Sequence, residues 1–274
     1  GLQRLSAISN FVLKKKLHLT NLEFLTEYEG FSYDQLPRAL QRRIDEFQTS
    51  VYLIKPGTPL VMKYSLFNRI NTGGLKLTNQ EIRHAMSQSI NSGVASRFLS
   101  EIVKEDVFCK MVGNNNNRMS YQELVLRHMA FMLFSSDTYK SSLPKFLDSA
   151  MDELGRLGNE KRESLRANFL ASMKTAYDLF NNDAFKKTLA EPTHKKVVNK
   201  PLFEVVSVCL ASIDDKARTR LTEQGDKLRE EFKALLTDSV FHESISRSTA
   251  NTDNVQMRFK MMKDIIEKFS GKDL

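Results

Sequence analysis

Two short stretches of this chain hold residue types that could grip an anion. The first, Gly1-Leu2-Gln3-Arg4-Leu5-Ser6-Ala7-Ile8, sets a glycine, an amide, a guanidinium and a hydroxyl at the start of a helical pattern. A helix start offers free backbone N–H groups and a partial positive charge, and a planar arginine fork can hold a phosphate bidentately. The second runs from Leu66 to Thr78 and contains Arg69, Asn71, Gly73 and Gly74. Adjacent glycines allow positive φ and expose N–H groups, with a charge and an amide supplied beside them. Each stretch also has a plain structural reading. An arginine near a helix start more often serves in a surface ion pair, and a Gly-Gly pair more often as a turn into a capped helix. Residue chemistry alone does not choose between these readings.

The elements that must position these residues are mostly helical. Apolar residues at Leu5, Ile8, Phe11 and Val12 gather on one stripe of a 3.6-residue period and predict a helix of about three turns after the first stretch. The run Thr49 to Ile54 is rich in β-formers, stops at Pro56-Gly57, and predicts a short strand. Thr78 followed by Glu81, and Ser120 followed by Glu123, have the spacing of reciprocal capping boxes opening helices through Ile90 and to Phe134. Further helices are expected near 143 to 155, 160 to 181, 201 to 212 and 214 to 236. In a last helix Val255, Phe259, Met262, Ile266 and Phe269 share one face. The loops at 113 to 118 and 192 to 200 are the natural boundaries. The expected division is 1–112, carrying both stretches, and 113–274, a helical domain. The fold class that follows is α+β, mainly α in the visible chain, with a small sheet completed by strands upstream of Gly1.

With 41% hydrophobic residues in 274, the chain can bury a sizeable core. No apolar run approaches the roughly 20 residues that span a bilayer, and no secretory signal opens the sequence. No membrane partner is expected. Cys109 and Cys209 sit among apolar neighbours, the pattern of buried thiols in a reducing cytoplasmic compartment. The balance of 41 Lys and Arg against 33 Asp and Glu, a net +8, suits a nucleic-acid or nucleotide partner. Lys14, Lys15 and Lys16 form the one tight basic cluster, a candidate DNA contact and equally a solvated helix end. The five histidines are scattered without cysteine or carboxylate at ligand spacing, so no metal site is expected. Walker phosphate loops, nucleophile elbows and dinucleotide-binding glycine turns are not found in the sequence.

The two stretches, taken together and in order, resemble the N-terminal, ParB-like domain family of GmrSD-type, modification-dependent restriction enzymes. Gly1, Gln3, Arg4, Leu5 and Ser6 are similar to that family's Asp-Gly-Gln-Gln-Arg-Leu-Thr motif. Phe67, Arg69, Asn71, Gly73, Gly74, Thr78, Gln80, Glu81 and Arg83 are similar to its second motif. Tyr121 to Arg127, Ser246-Arg247-Ser248-Thr249 and Arg258 also resemble members of the family. The resemblance implies a phage-defence protein that binds and hydrolyses a nucleoside triphosphate, accompanied by Mg2+, to license action on foreign DNA. Gly1, Arg4 and Ser6 would hold phosphates, Gln3 and Arg4 would be the catalytic pair, and Arg69, Asn71, Gly73 and Gly74 would close the nucleotide site. The family's leading Asp would stand immediately before Gly1, and Leu2 replaces its first Gln. Some relatives carry a C-terminal His-Asn-His nuclease domain, for which this chain has neither the room nor the histidines, so a separate nuclease partner or nicking by this domain is implied. The alternative is a non-catalytic module that binds DNA and recruits a partner within a defence complex.

Overall fold

A computed structural model describes residues 2–49, 51, 53, 55, 57–58, 62–63, 66, 77–90, 92–113, 117–140, 142–193 and 196–271, with residues 2–4 and 89–90 by backbone only. The described residues are 72% helical and contain no strand or sheet. The α+β expectation is therefore corrected to an all-helical fold. Thr49, Val51 and Leu53 have no regular structure, and Val51 and Leu53 are exposed; residues 50, 52 and 54 lie outside the described residues. β-propensity describes how well a side chain fits a paired, half-buried surface, and a β-rich run with no ladder partner has nothing to pair with.

The chain divides into two compact units, Gly1–Thr58 and Pro59–Leu274. The boundary expected at 112/113 falls inside the second. In the first unit, helix α1 (Leu2–Ile8) runs into a wider π-type turn (Ser9–Leu13), so the expected three-turn helix is present in two geometries. Phe11 from that turn meets Tyr33 edge-on, with ring centroids 5.9 Å apart. The Tyr33 hydroxyl donates to Asp45 at 2.7 Å at the end of α2 (Arg38–Asp45). Gln41 of the same helix donates to the Leu36 carbonyl at 2.9 Å. Tyr33 and Leu36 are the buried apolar side chains that this unit contributes.

The second unit is built around one helix. Helices α3 (Asn79–Ile90), α4 (Val94–Ile102), α5 (Asp106–Val112), α6 (Ser120–Leu133), α7 (Leu143–Arg156) and α8 (Asn159–Phe180) precede it. It is α9, Lys200–Ala211, and α10 (Asp215–Glu223), α11 (Gly225–Thr237), α12 (Ser239–Ser244) and α13 (Thr252–Ser270) follow. Helix α9 is apolar apart from Glu204 and Ser207, and each residue from Pro201 to Ala211 is buried, packed among α6, α8 and α13. A helix without a polar face cannot lie on a surface, so it becomes the core. The Asn199 side chain accepts from the Leu202 N–H at 2.9 Å, and Pro201 fills a first-turn position where its missing donor costs nothing.

The remaining helices follow the expected stripes, with two departures. The run 214 to 236 is two helices, parted at Gln224 and Gly225. The capping box at Ser120 is not made: Met119, in the left-handed region, is the N-cap of α6 and no side chain caps it. Glu123 turns to Arg127 and Lys200 instead. On α13 the predicted stripe Val255, Phe259, Met262, Ile266 and Phe269 is buried throughout. Cys209 lies in the core, where burial pushes its thiol up to about 12; Cys109 is half-buried, and its thiol donates to the Val103 carbonyl. Both are free.

Candidate functional site

The first sequence motif forms α1, with Ser6 exposed on it; the side chains of Gln3 and Arg4, and all of Gly1, lie outside the described residues. Lys14, Lys15 and Lys16 follow the π-type turn and face solvent. Lys15 adopts positive φ and its Nζ pairs with Asp34 at 2.8 Å, so one of the three cations already has a carboxylate partner. Arg69, Asn71, Gly73 and Gly74 lie outside the described residues, and they belong to the second unit whereas Arg4 belongs to the first.

The exit of the second motif is described, and Thr78, Gln80, Glu81 and Arg83 all have partners there. The Thr78 N–H donates to the Glu81 carboxylate at 2.7 Å, while the Glu81 N–H donates to the Thr78 hydroxyl at 3.2 Å. This is the reciprocal box expected from sequence, and it satisfies two orphan donors at the start of α3. Arg118, entering from the loop before α6, adds an ion pair to Glu81 at 2.8 Å. Partial burial works against the Glu81 charge, but Arg118 and the Thr78 N–H outweigh it and hold its pKa below the usual carboxylate value. One turn later Arg83 is buried, with Nε donating to Asp148 on α7 at 2.7 Å and Nη2 to the Pro144 carbonyl at 3.1 Å. Burial raises the Asp148 pKa and Arg83 only partly restores it. Gln80, also buried, accepts from Arg83 at 3.5 Å. The residues after Gly73-Gly74 therefore clamp the start of α3 in place on α7 and on the loop before α6.

A second polar constellation lies in the core, on residues that sequence reasoning noted only as family-like. Glu204, in the middle of α9, is fully buried and accepts from two arginines. Arg258 of α13 reaches one carboxylate oxygen at 2.7 Å, and Arg127 of α6 reaches the other. Arg127 also pairs with Glu123 at 2.8 Å, and Glu123 with Lys200 at 3.0 Å. Burial opposes the charge on Arg127, yet Glu204 and Glu123 more than offset it and its pKa is raised. Arg258 further donates to the Thr249 carbonyl at 2.7 Å, tying the 246–251 loop to the core. Beside this chain of charges, His128 is fully buried, meeting Phe169 in a T-shaped contact, with Nδ1 2.9 Å from the Ser207 hydroxyl. Burial depresses its pKa to about 3, so the ring is neutral. Among the described residues nothing bonds to its Nε2.

The two arginines are balanced by Glu204 and Glu123, and His128 is neutral, which makes these groups a framework rather than a reaction centre. A groove of about 690 Å³ runs along α13 beside Ser136 and Asp137, but no residue of the two motifs lines it, and its lining mixes Lys260 and Lys263 with Asp253, Asp264 and Glu267. Among the described residues no group of His, Cys, Asp and Glu is arranged to hold a metal ion, and no helix is long and apolar enough to cross a membrane. Comparison with protein-family models, with curated proteins and with solved structures finds no match for this chain.

Proposed function

We propose that this chain is a cytoplasmic, GmrSD-type defence protein that binds and hydrolyses a nucleoside triphosphate to license action on foreign DNA. The reading rests on the two paired motifs. Their residue types are those that a phosphate site needs: helix-start N–H groups and Arg4 in the first motif, Arg69 with Asn71 and the Gly73-Gly74 backbone in the second. In this role Arg4 and Arg69 bind phosphate oxygens, and Gln3 orients water. Mg2+, where bound, offsets the charge of the phosphates.

The observation that supports it best is the anchoring of α3. A glycine-bearing loop can grip a ligand only if its end is held still. Thr78, Glu81 and Arg118 fix the start of α3, and Arg83 fixes its next residues. So the motif residues downstream of the glycines act as support, leaving Arg69 and Asn71 for the ligand.

The test is nucleoside triphosphate turnover by the intact protein with Arg4→Ala. Turnover lowered at least about tenfold with an unchanged melting temperature supports the reading; full turnover overturns it.

A further inference from the structure

Helix α6 begins in a way that its own sequence does not call for. Ser120 and Glu123 have the spacing of a capping box, so a helix opening there could satisfy its first donors locally. Instead Arg118 takes φ 51° and ψ 45°, and Met119, the N-cap, takes φ 59° and ψ 27° with no side chain capping it. Among the described residues this is the one place where two successive residues other than glycine are left-handed. In that region Cβ crowds the following carbonyl oxygen, so both residues are held there at a cost.

That conformation delivers Arg118 to the entry of α3, 37 positions away in sequence. Its Nη2 donates to Glu81 Oε2 at 2.8 Å and its Nε to Oε1 at 3.4 Å, a two-point fork on the carboxylate that also accepts from the Thr78 N–H. The Thr78 hydroxyl in turn donates to the Arg118 carbonyl at 3.5 Å. Both members of the α3 cap are thus held by one residue. The Arg118 side chain is 42% exposed, and an ion pair in that setting adds less to stability than two left-handed side-chain-bearing residues cost. Stability therefore does not account for the arrangement. A fork fixes the direction of a carboxylate as well as its distance, and here it fixes with it the backbone at Thr78. Local strain that is not offset by stability marks a position held to a set geometry for use.

Thr78 follows Gly74 by four positions. We infer that Arg118 is a positioning residue of the nucleotide site: through Glu81 and Thr78 it fixes the point to which the Gly73-Gly74 stretch must run, and so sets the aim of that stretch on the phosphates. The inference rests on the nucleotide reading of the two motifs. Arg118 touches no ligand in this role and acts through Glu81 alone. A displacement of about an ångström at a binding loop lowers the rate steeply while the fold hardly changes.

The test is steady-state hydrolysis of ATP, GTP, CTP and UTP, each with Mg2+, by the intact protein, with kcat and KM resolved and melting temperatures measured alongside. Arg118→Ala is expected to lower kcat at least about fivefold with a melting temperature close to that of wild type, and Arg118→Lys to recover part of the loss, since it keeps the charge without the fork. Glu81→Gln keeps an acceptor for the Thr78 N–H but loses the ion pair, so it should reproduce the loss, and the double variant should lose no more than the worse single one. An active wild type whose kcat is abolished by Arg4→Ala but unmoved by Arg118→Ala would overturn the inference and leave the nucleotide reading standing. Losses from Arg118→Ala and Glu81→Gln that multiply would also overturn it, because Arg118 would then not act through Glu81. A wild type that hydrolyses none of the four nucleotides would overturn the nucleotide reading, and the inference with it.

Discussion

Glu204 and Arg258 face each other at 2.7 Å across α9 and α13 with neither side chain reaching solvent. They join the centre of the core to the 246–251 loop, since the same guanidinium donates to Thr249. Glu204→Gln leaves Arg258 with no counter-charge in the interior and Arg127 with Glu123 alone. A loss of about 3–5 kcal/mol in unfolding free energy is expected, read by denaturant titration. A loss below about 1 kcal/mol would show that water reaches these charges.

The capped entry to α3 gives a smaller and more local effect. Thr78→Ala removes the hydroxyl that accepts from the Glu81 N–H and should cost about 1 kcal/mol, while Thr78→Ser should be close to neutral. Arg118→Ala, at a more exposed ion pair, should cost less than about 1 kcal/mol. Equal losses from all three substitutions would mean that the hydroxyl is not what stabilises the turn.

How much of this was legible in the sequence varies with the physics of each element. The striped helices from Leu143 onward follow from the 3.6-residue period, because burial of a stripe requires little beyond the stripe itself. The Thr78 box was legible for the same local reason. The Ser120 box was not, because Glu123 is within reach of Arg127 and Lys200, and an ion pair set by tertiary structure outcompetes a cap. The strand at 49 to 54 failed because propensity does not provide a partner. Glu204 could have been found: a lone carboxylate inside Pro201–Ala211, otherwise free of charged residues, must be paired, and Arg258 interrupts the apolar stripe of α13 in the same way. The contact between Lys187 and Ser246 could not, since nothing in the spacing links 187 to 246. For the nucleotide site, Ser6 and the residues from Thr78 onward are described, whereas Gly73 and Gly74 are not.

His128 sets the acid side of the stability profile. Its pKa is about 3 in the fold, where burial disfavours the charged ring, against 6.5 in the unfolded chain. The unfolded chain therefore takes up a proton below 6.5 that the folded chain refuses. The associated stability is complete above that pH and is lost as pH falls toward 3, with a slope of up to about 1.4 kcal/mol per pH unit. Between pH 6.5 and 5, where carboxylates contribute little, His128→Gln should flatten the dependence of unfolding free energy on pH. An identical slope in wild type and variant would place the proton uptake elsewhere.

Arg83 should behave as support and not as a ligand contact. Arg83→Met removes both the Asp148 and Pro144 bonds and leaves Asp148 half-buried without its cation, so stability should fall by about 2–4 kcal/mol. Arg83→Met paired with Asp148→Leu should recover part of that loss, because no charge is then left unpaired. A double variant as unstable as the sum of the two single variants would show that the pair is not coupled.

The most direct measurement of the central claim is a double-mutant cycle on nucleoside triphosphate turnover in the intact protein, using Arg4→Ala, Arg69→Ala and the two together. If both arginines hold one ligand, each single variant loses at least about tenfold, roughly 1.4 kcal/mol, with little change in melting temperature. The double variant then loses no more than the worse single variant, and lysine at either position restores activity only in part, because it keeps the charge without the fork. Turnover that survives both substitutions, or losses that simply add, would mean that the two motifs are unrelated turns and that no shared phosphate site exists.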